Sequence, residues 1–224
     1  MLLALLMVWL PNVVMAAEKS DDLQEFITKS ASTLTRASDV IEVDLSQFTA
    51  TTRTKTLEIS TGKTYRFING TLTAASTFKD FLLLISNNST VSWSTDAIMQ
   101  PRTLSTSSES TNALVKIDNG IFNLTGGKLN YYKTSDGNHS IYPALIRTTS
   151  TSSSNSINML SGRIDGGVDC SNSLDKLYVY EGGAYVFYIN SSALGAKIYY
   201  DANHAQIREI HNYVKGSKRN HVLI

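Results

Sequence analysis

Apolar and polar residues alternate in short runs along most of this chain. Ile41, Val43 and Leu45 are interleaved with Glu42 and Asp44, and Leu57 and Ile59 flank Glu58. The pattern returns at Leu83 and Ile85, Val91 and Trp93, Val115 and Ile117, Phe122 and Leu124, Ile157 and Met159, and Leu177 and Val179. Period-two alternation predicts strands of about three to five residues, each turning one face to a core. A small residue then leads into a further apolar anchor: Gly70-Thr71-Leu72, Ala97-Ile98, Gly127-Lys128-Leu129, Gly162-Arg163-Ile164 and Ala196-Lys197-Ile198. These anchors lie 26 (72 to 98), 31 (98 to 129), 35 (129 to 164) and 34 (164 to 198) residues apart. A strand-borne period of about 30 residues predicts an all-β solenoid of about five to six stacked coils, because one coil cannot bury its inner face alone.

The punctuation between strands agrees. Gly62-Lys63, Asn87-Asn88, Asp118-Asn119-Gly120, Gly126-Gly127 and Gly182-Gly183 supply residue types that tolerate positive φ, as tight corners require. The chain has only three prolines, which suits strands whose N–H groups are used in ladders. Three polar inserts, Thr103 to Thr111, Ser135 to Tyr142 and Thr148 to Ser154, are expected to project from corners as loops.

The first 38 residues read differently. Leu2 to Leu10 is a continuous apolar run, followed by Pro11 and by Val14-Met15-Ala16. This is the pattern of a signal peptide over residues 1–16, cleaved after Ala16, and it predicts secretion or display at the cell surface. The run falls short of the roughly 20 apolar residues that a bilayer span needs. Within residues 17–38, positions 20–34 form an amphipathic helical pattern, with Asp22 and Glu25 spaced as a capping box and Leu23, Phe26 and Ile27 on one face. A helix there would cover the open end of the β region at 39–205. Residues 206–224, with Ile207, Ile210, Tyr213 and Val214, form a tail or a short closing helix.

Composition narrows the function classes. The net charge is +1, and no basic stripe of the kind that nucleic-acid binding requires is present. Charged residues are 17% of the chain, below the usual share of about 25%, and Ser, Thr and Asn fill the gap. The single cysteine, Cys170, excludes an intramolecular disulfide and a four-cysteine metal site. No cofactor or metal motif stands out, and the histidines are spaced too widely for a local metal pair.

The stretch from Thr56 to Thr73, TLEISTGKTYRFINGTLT, resembles the first full coil of bacterial right-handed parallel β-helix proteins, which share the pectin-lyase-like fold. In that family an N-terminal helix precedes a T-I-x-I-x-x-G-K-T strand and an N-G-T-[LI]-T turn. The resemblance covers roughly residues 22–205, and it implies the right-handed form of the solenoid. It also implies a choice between polysaccharide lyases, glycoside hydrolases, adhesins and other surface proteins. The hydrolase motifs Asn-Thr-Asp, Asp-Asp and Gly-His-Gly do not stand in this sequence; Arg163-Ile164-Asp165 partly echoes an Arg-Ile-Lys.

Two sets of candidate residues remain. Tyr132, Tyr178, Tyr180 and Tyr199 fall at outward positions of the alternation, and such a row could stack on sugar rings with Asn and Lys donating hydrogen bonds. The structural alternative is cross-strand packing of half-exposed aromatics. Catalysis on a glycan would need paired carboxyls, for which Asp165, Asp169 and Glu181 are the candidates. The expectation is a non-catalytic secreted or cell-surface protein that binds a polysaccharide, a surface glycan or another surface partner. The alternatives are a carbohydrate-active enzyme on the same fold and a fragment of a larger adhesin.

Overall fold

The computed structural model describes residues 23–33, 39–48, 51–149, 155–171, 174–179, 184–191 and 197–199, the backbone alone for 179, 184–191 and 197–199. The expected signal segment, the tail after residue 205, Tyr180 and Glu181 lie outside the described residues. One helix, α1 (Leu23–Thr33), comes first. The strands that follow are β1 (Val40–Asp44), β2 (Thr52–Arg53), β3 (Leu57–Ile59), β4 (Thr64–Ile68), β5 (Gly70–Ala74), β6 (Leu83–Ser94), β7 (Ala97–Gln100) and β8 (Val115–Leu129). They continue through β9 (Tyr132–Lys133), β10 (Ser140–Ile141), β11 (Ala144–Thr148), β12 (Ser156–Cys170), β13 (Lys176–Val179), β14 (Ala184–Ser191) and β15 (Lys197–Tyr199). Thirteen strands form one sheet that curls through 214°, and β9 and β10 form a separate antiparallel pair. The molecule is thus dominated by a large, strongly curled parallel sheet, compatible with a β-helix-like solenoid.

Apolar residues stack in columns on three parallel ladders. On the first, Ile41, Tyr65, Val91, Phe122, Ile157 and Leu177 succeed one another in register, beside Val43, Phe67, Trp93, Leu124 and Met159. On the second, Leu57, Leu83, Val115, Ile146 and Val168 align, beside Ile59, Ile85, Ile117 and Thr148. On the third, Leu72, Met99, Leu129 and Ile164 align. All of these side chains are buried and, apart from Thr148, belong to one continuous apolar core. At about 25 cal/mol per Å² of apolar surface removed from water, such columns supply the main driving force for stacking.

Two of the expected anchors are displaced. Leu72 stacks on Met99, while Ile98 pairs with Thr71 on the half-exposed outer side. Ile164 pairs with Val186, and Ile198 pairs with Leu177 on the first ladder. A small residue before an apolar one recurs at both places, so spacing alone could not separate the third ladder from the first.

The chain passes from the second ladder to the first, then to the third. Positive φ occurs at Gly62, Asn87, Asn88 and Asn119 where it enters the first ladder. It recurs at Asn69, Gly70, Asp96, Gly126 and Gly162 where it leaves for the third. Asn and Asp take these angles at lower cost than other side chains because they bond locally to the backbone.

The polar inserts are more structured than their composition suggests. Leu104 is buried and forms an isolated bridge with Thr134, and Arg102 reaches Glu109 at 2.7 Å and the Ser110 carbonyl at 3.1 Å. Ser135 to Tyr142 turns around into the β9–β10 pair, and Thr148 belongs to β11.

A buried polar cluster closes one corner. Asn155, fully buried, accepts through Oδ1 from the backbone N–H of Asn119 at 2.7 Å and of Gly120 at 3.3 Å. Its Nδ2 donates to Asp175 Oδ1 at 2.8 Å, and the Thr148 hydroxyl donates to the other Asp175 oxygen. The corner N–H groups that Asn119 turns inward thereby find partners without water.

α1 lays Leu23 and Ile27 on the core, and Phe26 meets Phe48 edge-on at 5.3 Å. Its Gln24 does more. Among the described residues β3 pairs only with β6, so its other edge has no strand beside it. The Gln24 amide fills that place: Nε2 donates to the Glu58 carbonyl at 3.0 Å, and Oε1 accepts from the Glu58 N–H at 2.8 Å. Both bonds are solvent-accessible, so Gln24→Ala is expected to lower stability by about 1 kcal/mol. A urea titration should show the midpoint falling with the slope unchanged; an unmoved midpoint would show that the amide contributes nothing there.

Among the described residues no helix is long and apolar enough to cross a membrane.

Candidate functional site

The outer side of the first ladder carries two outward residues per rung. One column runs Glu42, Arg66, Ser92, Asn123, Asn158 and Tyr178. The second runs Val40, Thr64, Thr90, Ile121, Ser156 and Lys176. Outward placement follows from alternation, since the residues between the columns are the buried core column of this ladder.

The first column is internally bonded. Arg66 Nη1 lies 3.7 Å from Glu42 Oε2, an exposed pair that adds little stability. Asn158 Nδ2 donates to Asn123 Oδ1 at 2.6 Å, and Asn123 Nδ2 donates to Ser92 Oγ at 3.2 Å. These bonds align three rungs of amide and hydroxyl groups in one half-exposed row. The row leads directly to Tyr178, which pairs with Asn158 on one side and with Tyr199 on the other. Sequence reasoning singled out the tyrosines and missed the asparagines. The signal was present: Ser92 to Asn123 spans 31 residues and Asn123 to Asn158 spans 35, two of the spacings of the apolar anchors.

Tyr132 does not share the outer face with Tyr178, and Tyr180 lies outside the described residues. Tyr178 is half-buried on the outer face, and Tyr199 occupies the next rung in register with it. Tyr132 faces the core instead, at 4% exposure, and its Oη donates to the Asn112 carbonyl at 2.8 Å. Burial pushes its phenol up to about 12. Its reversal has a local cause: the chain leaves the third ladder after Leu129, and the β9–β10 pairing restarts the alternation in a different phase. Tyr131, not Tyr132, is the more exposed of the two; it stacks on Tyr142 at 5.1 Å, under the Lys133 ammonium.

Of the three acidic candidates, Asp165 and Asp169 lie among the described residues and Glu181 does not. Asp165 is 1% exposed, with Arg163 Nε donating to Oδ1 at 2.5 Å and Lys128 Nζ lying 3.6 Å from Oδ2. Asp169 sits across the Gly166-Gly167 corner on the second ladder, and Arg147 Nε lies 3.3 Å from its Oδ2. Each carboxylate is matched with its own cation.

Among the described residues, Cys170 and His139 have structural roles. Burial drives the Cys170 thiol up to about 12, with the Asp175 and Asp169 charges adding to the effect. A thiol so placed is not a nucleophile near neutral pH. His139 closes the tight loop at the tip of the β9–β10 pair, its N–H donating to Thr134 Oγ1 at 3.1 Å. In the same loop the Thr134 hydroxyl and the Asn138 N–H hold the Asp136 carboxyl below its usual range. Among the described residues no three His, Cys, Asp or Glu side chains stand together as a metal site.

No family model, curated protein or solved structure matches this chain. The arrangement of its own residues is therefore the whole basis for assigning a role.

Proposed function

We propose that this chain is a non-catalytic, secreted or cell-surface protein, built as a right-handed parallel β-helix of about five to six coils, that binds a glycan on the outer side of its first ladder. The observation that carries the reading is the row Ser92, Asn123, Asn158 and Tyr178, one residue per rung, with its amides aligned by their own hydrogen bonds. Parallel strands lie about 4.8 Å apart, so the row offers donors and acceptors at a regular step along a flat face. A polysaccharide presents hydroxyls at a regular step too, and its C–H faces pack on aromatic rings. Amide groups fixed in advance lose little freedom on binding.

A glycan array, run beside a depolymerisation assay on pectin and related polysaccharides, tests this reading. Binding without chain cleavage is the expected result. Tyr178→Ala should weaken binding about tenfold, the worth of one aromatic contact, with an unchanged far-ultraviolet circular dichroism spectrum. Cleavage of any polymer would overturn the non-catalytic assignment, and absence of binding would overturn the glycan.

A further inference from the structure

A chain with a single cysteine has no internal disulfide to lock a loop. The β9–β10 hairpin offers another kind of covalent link. Lys133 pairs with Ser140 and Tyr132 with Ile141, so one further step along this antiparallel register puts Tyr131 opposite Tyr142. The two rings do meet: their centroids lie 5.1 Å apart with the planes tilted by 40°, the one tyrosine–tyrosine ring contact among the described residues.

The hairpin holds these rings in place. At its tip the Thr134 N–H donates to the His139 carbonyl at 3.1 Å, and the Thr134 carbonyl accepts from the Gly137 N–H at 2.9 Å. On the far side of β9 the Leu104 N–H donates to the Lys133 carbonyl and the Ser135 N–H donates to the Leu104 carbonyl, both at 2.8 Å. Leu104 is itself fully buried, so β9 is tied to the body of the protein. The Lys133 ammonium gives the Tyr131 ring a second contact, 5.2 Å from its centroid. Both rings are nonetheless half-exposed and open to a reagent, whereas Tyr65 and Tyr132 are buried.

We propose that Tyr131 and Tyr142 form a site of oxidative coupling, at which a peroxidase-type one-electron oxidant joins the two rings into an internal dityrosine. Each phenol gives up one electron and its hydroxyl proton and becomes a phenoxyl radical. The radicals combine in a new carbon–carbon bond between their ortho positions. Each bonded carbon then releases its proton and each oxygen regains one, which restores both phenols. Hydrogen peroxide takes up the two electrons and two protons and leaves as two waters. The link closes the hairpin at its base and restricts the unfolded chain there, as a disulfide does across a loop. It is independent of glycan binding; the secreted setting supplies the oxidant, and the ring geometry supplies the selectivity.

The test treats the full chain, at micromolar concentration, with a peroxidase and hydrogen peroxide, then maps the digest by mass spectrometry. The expected product is a peptide pair joined between Tyr131 and Tyr142, lighter by two hydrogens, with dityrosine fluorescence in the monomer fraction. A tethered neighbour acts at an effective concentration of about a millimolar or more, so this internal product should exceed coupling between molecules about tenfold or more. It should also be the most abundant internal pair. Tyr131→Phe and Tyr142→Phe each keep the ring and remove the hydroxyl; each should abolish this product and leave the circular dichroism spectrum unchanged. In concentrated urea the preference for this pair should disappear. Greater coupling at any other internal pair, or coupling only between molecules, would overturn the proposal. So would a preference that persists in urea, because nearness in sequence would then account for it without the folded hairpin.

Discussion

Gly162→Ala is expected to destabilise the protein by about 3 kcal/mol or more, because steric overlap adds to backbone strain. Gly162 has a φ of +111°, a region that L-residues avoid. A Cβ at this position would lie 2.4 Å from the Gly127 carbonyl oxygen and 3.1 Å from both Gly126 C and Gly127 N. Every one of those atoms is backbone, so no side chain can swing aside to make room. Relief requires β12 and β8 to separate where both turn from the first ladder to the third. Gly137 provides the comparison: its φ is +72°, yet nothing lies within 4 Å of an added Cβ. Gly137→Ala meets backbone strain alone and should cost about 1 kcal/mol. Urea titrations of the two variants measure the difference. Equal costs would show that β12 does not pack on the β8 backbone at this corner.

Asn155→Ala is expected to cost about 2–4 kcal/mol, since it leaves buried polar groups without partners. Two backbone N–H groups, of Asn119 and Gly120, lose their acceptor, and Asp175 loses a donor to its carboxylate. The site is sealed, so water cannot take over cheaply. Asn155→Asp separates shape from hydrogen bonding. It keeps the size and an acceptor oxygen but puts a second carboxyl beside Asp175. Two carboxylates in one sealed site repel each other, and protonating one of them relieves the repulsion. The deficit of this variant is therefore fullest at neutral pH and shrinks as the pH falls toward about 4. Unfolding free energies measured at pH 7 and pH 4 test both variants. A deficit in Asn155→Asp that does not change with pH would contradict the pairing with Asp175.

The parts of the fold that were legible in the sequence are those set by local chemistry. Alternation marked Leu57 and Ile59, or Phe122 and Leu124, because a side chain on a strand must face one way or the other. Asn87, Asn88 and Asn119 marked corners because few other residues accept their φ. What could not be read locally was which strand lies beside which. Met99 rather than Ile98 faces the core, and Ile198 pairs with Leu177 rather than with Ile164. Both depend on register, and a slip of one residue exchanges the two faces. The candidate site divided along the same line. Tyr178 sits in an unbroken alternation, half-buried in register with Asn158. Tyr132 follows a break in the ladder, after which its phase is set by the partner strand β10. Asp165 looked like an available acid, and only the third dimension brings Lys128 from 37 positions earlier to its side.

The Gln24 amide beside β3 has a consequence for assembly. A sheet grows when a new strand finds free N–H and C=O groups along an edge. At Glu58 both groups are already engaged by a side chain that carries one donor face and one acceptor face, as a strand residue does. An incoming chain must first undock α1, losing the burial of Leu23 and Ile27, before it can extend the sheet from that strand. The helix therefore acts as a removable stopper, and end-to-end polymerisation through β3 is governed by how firmly α1 stays in place.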